Sequence, residues 1–401
     1  MKFRTKREAE DFDREKHAAL GSFSNVDQSK AERLTVGELH MEWLESLRRS
    51  GGRRNDGTAE NTLEAYDGIY RAVISPRWHH APLATITDAA VRQWVEQGES
   101  STRSRKAKGV RQFSRLVSYA VGRYVTTNTV KPYLKQLPKS EDTDVRSQCL
   151  DMRQVFRLSA CSSAHYAEVF VFLSLTGLRF GELAALRGRD VQGNRLSVRR
   201  TQRTVDNRIS YADVTKGGGR RTIPLTAVAL TIAEGHRRGR DDHLFTAPKG
   251  GDLQNCNVSN RALKPAVELA SGAVERLQDA LSVSEYSGDF FHVYGPDTVA
   301  AVERVQRENG LSVTGRADAA TREAIGLDDA QHGFTLHPGD SDFPEDFTLH
   351  GFRHSCVSLV VAAGANVKLA QSFARHASAS MGTDAKKGDS FSVKLREQLA
   401  L

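Results

Sequence analysis

Four short stretches of this chain gather residue types suited to holding and breaking a phosphodiester. Arg179 sits in TGLRFGEL, Lys216 in TKGGGRRTIPL, His350 and Arg353 in LHGFRHS, and His376 in RHASAS. Two guanidinium groups can clamp non-bridging phosphate oxygens with planar forks and stabilise the added charge of a pentacoordinate transition state. A lysine on a hairpin can protonate a leaving oxygen, and histidines can donate hydrogen bonds or move protons near neutral pH. Each signal is weak alone, because a single Arg after a helix is usually structural and a single His is more often a cap or core residue. His350 and Arg353 share one helical face by their i, i+3 spacing.

The elements that must position these residues are mostly helices. Thr35 and Glu38 form a capping box, and Val36, Leu39, Trp43 and Leu47 then fall on one face. Leu63, Tyr66, Tyr70 and Val73 mark a second helix, and Thr87 caps a third carrying Val91, Trp94 and Val95. The stretch with Arg103, Arg105, Lys106, Lys108, Arg111 and Arg115 carries almost no acid and leads into Phe113, Leu116, Ala120 and Tyr124. That density of cations suits phosphate contact. A polar, Pro- and Lys-containing linker, VKPYLKQLPKSEDTDVRS, follows. Asp151 then caps a helix, and AEVFVFLSL reads as a buried one ending at Thr176-Gly177. Short alternating runs around Leu196, Ile209 and Ile223 predict strands, with Lys216 on a glycine-rich hairpin tip between the last two. The fold class read from this pattern is mainly α with a small antiparallel β-sheet: a helical domain, then an α+β domain.

Composition limits the alternatives. The chain has 401 residues, 39% hydrophobic and 26% charged, with a formal net charge of +8, which favours a polyanionic partner. Cys149, Cys161, Cys256 and Cys356 form no C-x-x-C pair, so neither a zinc site nor a disulfide framework is expected. The charged opening MKFRTKREAEDFDREK is no signal peptide, and the apolar run from Val169 to Leu175 is too short to span a bilayer. A cytoplasmic protein without a membrane partner is the expectation.

Taken in order, the four motifs resemble the tyrosine recombinase (phage integrase) family. The resemblance covers residues 35–270 and 345–385. It implies a helical core DNA-binding domain at 35–135 and a catalytic domain at 150–272 and 329–401, which together clamp duplex DNA. It further implies that Arg179 and Arg353 hold the scissile phosphate, Lys216 is the general acid, and His350 and His376 assist proton transfer. Glu182, one turn after Arg179, would be structural. The family needs no metal or other cofactor and self-associates on DNA as a tetramer. Residues 1–34 resemble the end of the family's arm-binding domain, whose preceding strands are missing.

Two departures bear on activity. The family's nucleophilic tyrosine lies about ten residues after the last histidine; that count from His376 reaches Lys386, and no tyrosine follows Tyr294. Ser380, Thr383, Ser390 and Ser392 lie nearby without an evident base. Arg375 stands where the family usually has glycine.

Residues 273–328 interrupt the catalytic motifs. Val274, Leu277 and Leu281 define one helix, Val299, Val302 and Val305 another, and Asp318 caps a third beginning near Thr321. The segment resembles a peptidoglycan-binding-domain module, and is expected to form a separate three-helix lobe that contacts DNA or a protein partner and is dispensable for folding. Three readings stand: an integrase impaired in strand cleavage, a non-cleaving DNA-binding protein of recombinase descent, and a cell-wall-binding protein.

Overall fold

The computed structural model describes residues 27–50, 57–96, 102–137, 149–205, 208–213, 220–283 and 292–364. Lys216, His376, Lys386, Arg375 and the four hydroxyls near them lie outside the described residues, as does most of the 1–34 segment. The chain divides into two units: Met1–Asp142 with Thr204–Arg208, and Thr143–Arg203 with Ile209–Leu401.

In the first unit, the Thr35 amide donates to Glu38 Oε2 at 2.8 Å and the Glu38 amide donates to Thr35 Oγ1 at 3.2 Å. This reciprocal cap starts α1 (Val36–Ser50), whose Val36, Leu39 and Trp43 are buried. α2 (Glu60–Ile69) runs into a π-helical turn (Tyr70–Ile74) and a last turn (Ser75–Trp78). α3 (Asp88–Glu96) starts at Thr87, whose hydroxyl accepts the Ala90 amide. α4 (Arg103–Ala120) is capped by Thr102. A Cβ on Gly109 of α4 would lie 2.4 Å from Val73 Cγ1, so glycine is what lets α4 close against the π-helical turn. Trp78, Trp94 and Phe113 form the aromatic centre of this core, with ring centroids 5.3–6.1 Å apart. The helical period ends at Ala120. Tyr124 lies beyond it, its hydroxyl donating to Glu42 at 3.0 Å. The start of the expected linker is also core: Lys131–Lys135 is a 3₁₀ turn with Tyr133 buried and its hydroxyl on Asp88 Oδ1 at 2.9 Å.

The second unit opens with α5 (Met152–Ala160), started by a capping box between Asp151 and Gln154. α6 (Ala164–Thr176) is buried along its second half, from Val169 to Leu173 without a break, as befits a central helix, and the short α7 (Phe180–Ala184) follows. Strands β1 (Val191–Gln192), β2 (Arg195–Val198) and β5 (Arg221–Pro224) make one antiparallel sheet in the order β1-β2-β5, with Leu196 opposite Ile223 and Val198 opposite Arg221. β3 (Thr201–Val205) and β4 (Arg208–Ala212) make a second, two-stranded sheet. This corrects the hairpin expected around Lys216. β4 pairs with β3 and β5 with β2, so the Lys216 segment connects two sheets. The cause is non-local: β5 finds its partner in the earlier strand that offers the matching apolar face. α8 (Ala227–His236) and α9 (Lys264–Ala270) follow. α10 (Ala273–Leu281), α11 (Pro296–Glu308) and α12 (Ala319–Ala324) form the inserted segment, and α13 (Gly351–Ala362) closes the described chain. Asp318 does cap α12, two residues ahead of the expected start. Among the described residues no helix is long and apolar enough to cross a membrane.

The inserted segment does not keep a core of its own. Val274, Leu277, Tyr294 and Val302 belong to one continuous buried cluster with Val155, Phe170 and Phe352. A strap at residues 336–343 joins the two parts. On one side it bridges Val293 through Ser341 and Ala317 through Leu336. On the other, the Ser341 carbonyl accepts from Arg157 at 2.7 Å and from Gln154 at 3.2 Å, both on α5. Deleting residues 273–328 is therefore expected to unfold the second unit. The loss of several fully buried aliphatic side chains, each worth about 1.5–3 kcal/mol, is large against a domain stability of about 5–15 kcal/mol. A thermal melt followed by circular dichroism checks this; an unchanged cooperative transition in the deleted protein would restore the dispensable-lobe reading.

Candidate phosphate-binding site

The TG of TGLRFGEL explains how the site is assembled. α6 ends at Thr176, and Gly177 takes a left-handed conformation (φ 60°) that glycine adopts without strain. The turn presents the Gly177 carbonyl inward, where it accepts from Arg353 Nη1 at 2.5 Å across 176 residues of sequence. It also places Arg179 at the start of α7. Glu182 accepts the Arg179 amide at 3.0 Å and its Nη1 at 3.1 Å.

Glu182 is the anionic centre of the cluster. It is 1% exposed, and Arg221 on β5 reaches it with a fork, Nη1 to Oε1 at 2.9 Å and Nη2 to Oε2 at 2.7 Å. Burial pushes its carboxyl up, but the hydrogen bonds and charge of Arg221, followed by Arg179, outweigh that and hold it below its ordinary value. Arg221 was not among the residues singled out from sequence. Its signal was there: it alternates with Ile223, so both face inward from β5.

Arg353 lies on α13 and is completely buried. α13 is held against α6 by the stack of Phe352 on Phe170, centroids 5.2 Å apart, and Gly351 admits the Phe347 ring where a Cβ would stand 2.4 Å away. Among the described residues, one Arg353 nitrogen has a partner. Its Nε and Nη2 are buried and meet no hydrogen-bond acceptor among the described residues. Burial first, and then the positive charge of Arg179, push the Arg353 guanidinium down to about 10, with Glu182 opposing. His350 stands exposed at the head of α13, its ring 4.7 Å from that of His354. Desolvation, then the charges of Arg353 and Arg179, hold its imidazole below the ordinary value. Arg179, Arg353 and His350 thus come within electrostatic reach of one another. Their surplus of positive charge, with two orphaned donors, is an arrangement an oxyanion would relieve.

On the first unit, α4 turns Ala107, Val110, Phe113 and Leu116 inward and leaves Arg105, Lys108, Arg111 and Arg115 exposed. Lys108, Arg111 and Arg115 follow one another at i, i+3 and i+7, a single cationic stripe. Lys106 is half-buried, its ammonium 5.9 Å from the Trp94 ring. The Arg103 side chain lies outside what is described.

The Tn1549 transposon integrase in complex with transposon right end DNA superposes with a TM-score of 0.55 over 92% of this chain and 100% of its own, at 14% identity. The fold is that of the tyrosine-recombinase integrases. A second Tn1549 integrase complex, with circular intermediate DNA, gives 0.54 over 91% and 99% at 15% identity. A lambda integrase dimer bound to a COC′ core site gives 0.51 over 89% and 97% at 16% identity. By sequence, no curated protein matches. Residues 270–325 match the family model described as "Putative peptidoglycan binding domain", beginning three residues ahead of the segment delimited from sequence. The integrase-like fold therefore carries this module inside its second unit.

Proposed function

We propose that this chain is a DNA-binding protein of the tyrosine-recombinase integrase type, acting in site-specific recombination and blocked in its own strand cleavage. The observation that carries the reading is Arg353: a fully buried guanidinium with two donors that meet no acceptor among the described residues, beside Arg179, in an integrase fold. Residues 35–135 would be the core DNA-binding domain, with the α4 stripe against the phosphate backbone. Residues 150–272 and 329–401 would form the catalytic domain. Arg179 and Arg353 would take the non-bridging oxygens of one phosphate, and His350 would add a hydrogen bond at the rim. Glu182 and Arg221 hold Arg179 in place without touching DNA. Lys216 as general acid and His376 as phosphate ligand rest on their motifs. The Tn1549 and lambda proteins are described in complex with DNA, and self-association on DNA follows by the same reading.

The missing group is the nucleophile. Tyr294, the last tyrosine of the chain, is buried with its hydroxyl donating to the Gly315 carbonyl at 3.0 Å. Burial holds its phenol well above the ordinary value. Tyr211 donates to Asp252 at 2.7 Å, and burial pushes it up to about 12. Neither is an activated aryl oxygen. Incubation with a suicide duplex substrate, followed by a denaturing gel, is expected to show no covalent adduct for the wild-type protein. Lys386→Tyr supplies a phenol at the matching distance from His376, and is expected to yield nicked product if the cradle is intact. An adduct on wild-type protein would overturn the non-cleaving reading; its mapping to Thr383 or a neighbouring serine would name a replacement nucleophile.

The cell-wall reading has the match at residues 270–325 in its favour. Against it, the module's apolar faces are built into the core of the second unit. We assign it a structural and protein-contacting role. Retention of the chain on insoluble peptidoglycan, undiminished by competing duplex DNA, would support the glycan reading instead.

A further inference from the structure

Where the inserted module meets the strap, three potential ligands converge: Glu275 on α10, His292 ahead of α11, and Asp342 on the strap. Their nearest donor atoms all lie within 4.8 Å of one another. We propose that they form a divalent transition-metal site, with Zn²⁺ as the fitting ion, that fastens the module to the strap.

The separations suit a cation shared by the three groups. His292 Nδ1 is 3.5 Å from Glu275 Oε2 and 3.6 Å from Asp342 Oδ2. Both separations match the edge of a ligand tetrahedron, about 3.4 Å for metal bonds near 2.0–2.1 Å. Two carboxylates neutralise a divalent charge, and imidazole with carboxylate is a donor set zinc accepts. Three protein ligands leave a fourth position for water.

The ligands are oriented by groups behind them. Both oxygens of Asp342 are held by amides at the start of α10: Val274 N to Oδ1 and Glu275 N to Oδ2, each at 2.9 Å. Each carboxylate oxygen retains a second lone pair for another partner. Arg157 approaches the Oδ1 side at 3.7 Å, leaving Oδ2 turned toward His292. His292 is in the left-handed region at φ 72°, which a non-glycine residue rarely occupies. It is held there by its amide, which donates to Gln278 Oε1 at 3.0 Å. Gln278 is in turn buried, its amide nitrogen on the Val293 carbonyl at 2.9 Å and the Thr298 hydroxyl at 3.1 Å. A buried network thus fixes a strained backbone whose product is the placement of one imidazole. Glu275 is 42% exposed, and its Oε2 lies 3.5 Å from His292 Nδ1.

The test uses the full chain, stripped with EDTA and titrated with CoCl₂, whose tetrahedral complexes carry a strong visible d–d band. One equivalent is expected to develop the band, and ZnCl₂ to abolish it. His292→Ala should remove the band, and Glu275→Gln should weaken Co²⁺ binding at least tenfold. Asp342→Asn risks the fold because Asp342 caps α10; Glu275→Gln, with its exposed side chain, keeps the test valid. Zn²⁺ at a hundredfold excess over its Kd should shift the unfolding equilibrium of the wild-type chain by about a hundredfold, and that of His292→Ala by none. Absence of the band in wild-type protein, or an equal band in His292→Ala, overturns the site.

Discussion

Replacing Glu182 with glutamine is expected to destabilise the second unit by about 3–5 kcal/mol, the range for removing one partner of a buried ion pair. Glutamine has the same shape but leaves Arg221 without its carboxylate, Arg179 without a counter-charge, and the buried Arg353 with a stronger positive field around it. Denaturant unfolding at neutral pH measures the loss, and a cost below about 1 kcal/mol would show that Glu182 is no centre of the cluster. The pH dependence has a definite sign. The folded-state value of Glu182 is depressed below the ordinary carboxyl value of 4.5, so its contribution is complete above that pH and is lost as pH falls through the folded value. The Glu182→Gln protein should therefore lack this acid-side loss. Arg221→Lys tests the fork separately: a lysine keeps the charge but cannot meet both Glu182 oxygens, so it should recover only part of the stability.

Affinity for duplex DNA is expected to fall about a thousandfold or more between 50 and 200 mM salt, as for a protein neutralising roughly six to ten phosphates. The net charge of +8 and the exposed stripe Lys108, Arg111, Arg115 on α4 motivate the number. Changing these three to alanine leaves the inward face of α4 untouched, so the fold should survive. Each change should lower the slope of log affinity against log salt by about one. Gel-shift titrations at several salt concentrations read both effects. Salt-insensitive binding, or an unchanged slope in the triple variant, would remove α4 from the DNA surface. The Arg353 site should behave differently: Arg353→Met should leave the salt slope changed by at most about one, and should abolish any nicking regained through Lys386→Tyr.

Much of the architecture was legible because it is encoded locally. A side chain that caps a helix acts within three residues, so Thr35 with Glu38, Thr87, Asp151 and Asp318 announced their helices correctly. The apolar spacing of Val36, Leu39 and Trp43, and of Val274, Leu277 and Leu281, likewise follows from the helical repeat alone. The residue types needed to hold a phosphate were also plain, since only arginine offers the planar fork.

What the tertiary structure decided is which of those residues are buried and with whom. Nothing near Arg353 in sequence says that it is fully enclosed. Its partner among the described residues is the carbonyl of Gly177, 176 residues earlier, brought there by the packing of α13 on α6. Arg221 joined the site through the pairing of β5 with β2, where sequence proximity to β4 had suggested a hairpin. The inserted segment looked detachable because it resembles a small three-helix module. Only the strap, touching α5 on one side and the module on the other, shows that they share a core. Each of these is a long-range contact, set by how the apolar faces of distant elements fit together and not by the local repeat that signals an element. A candidate chemistry could be named from residue types, whereas the electrostatic state of the cluster, a buried cation with two donors that meet no acceptor among the described residues, exists only once the chain has folded around them.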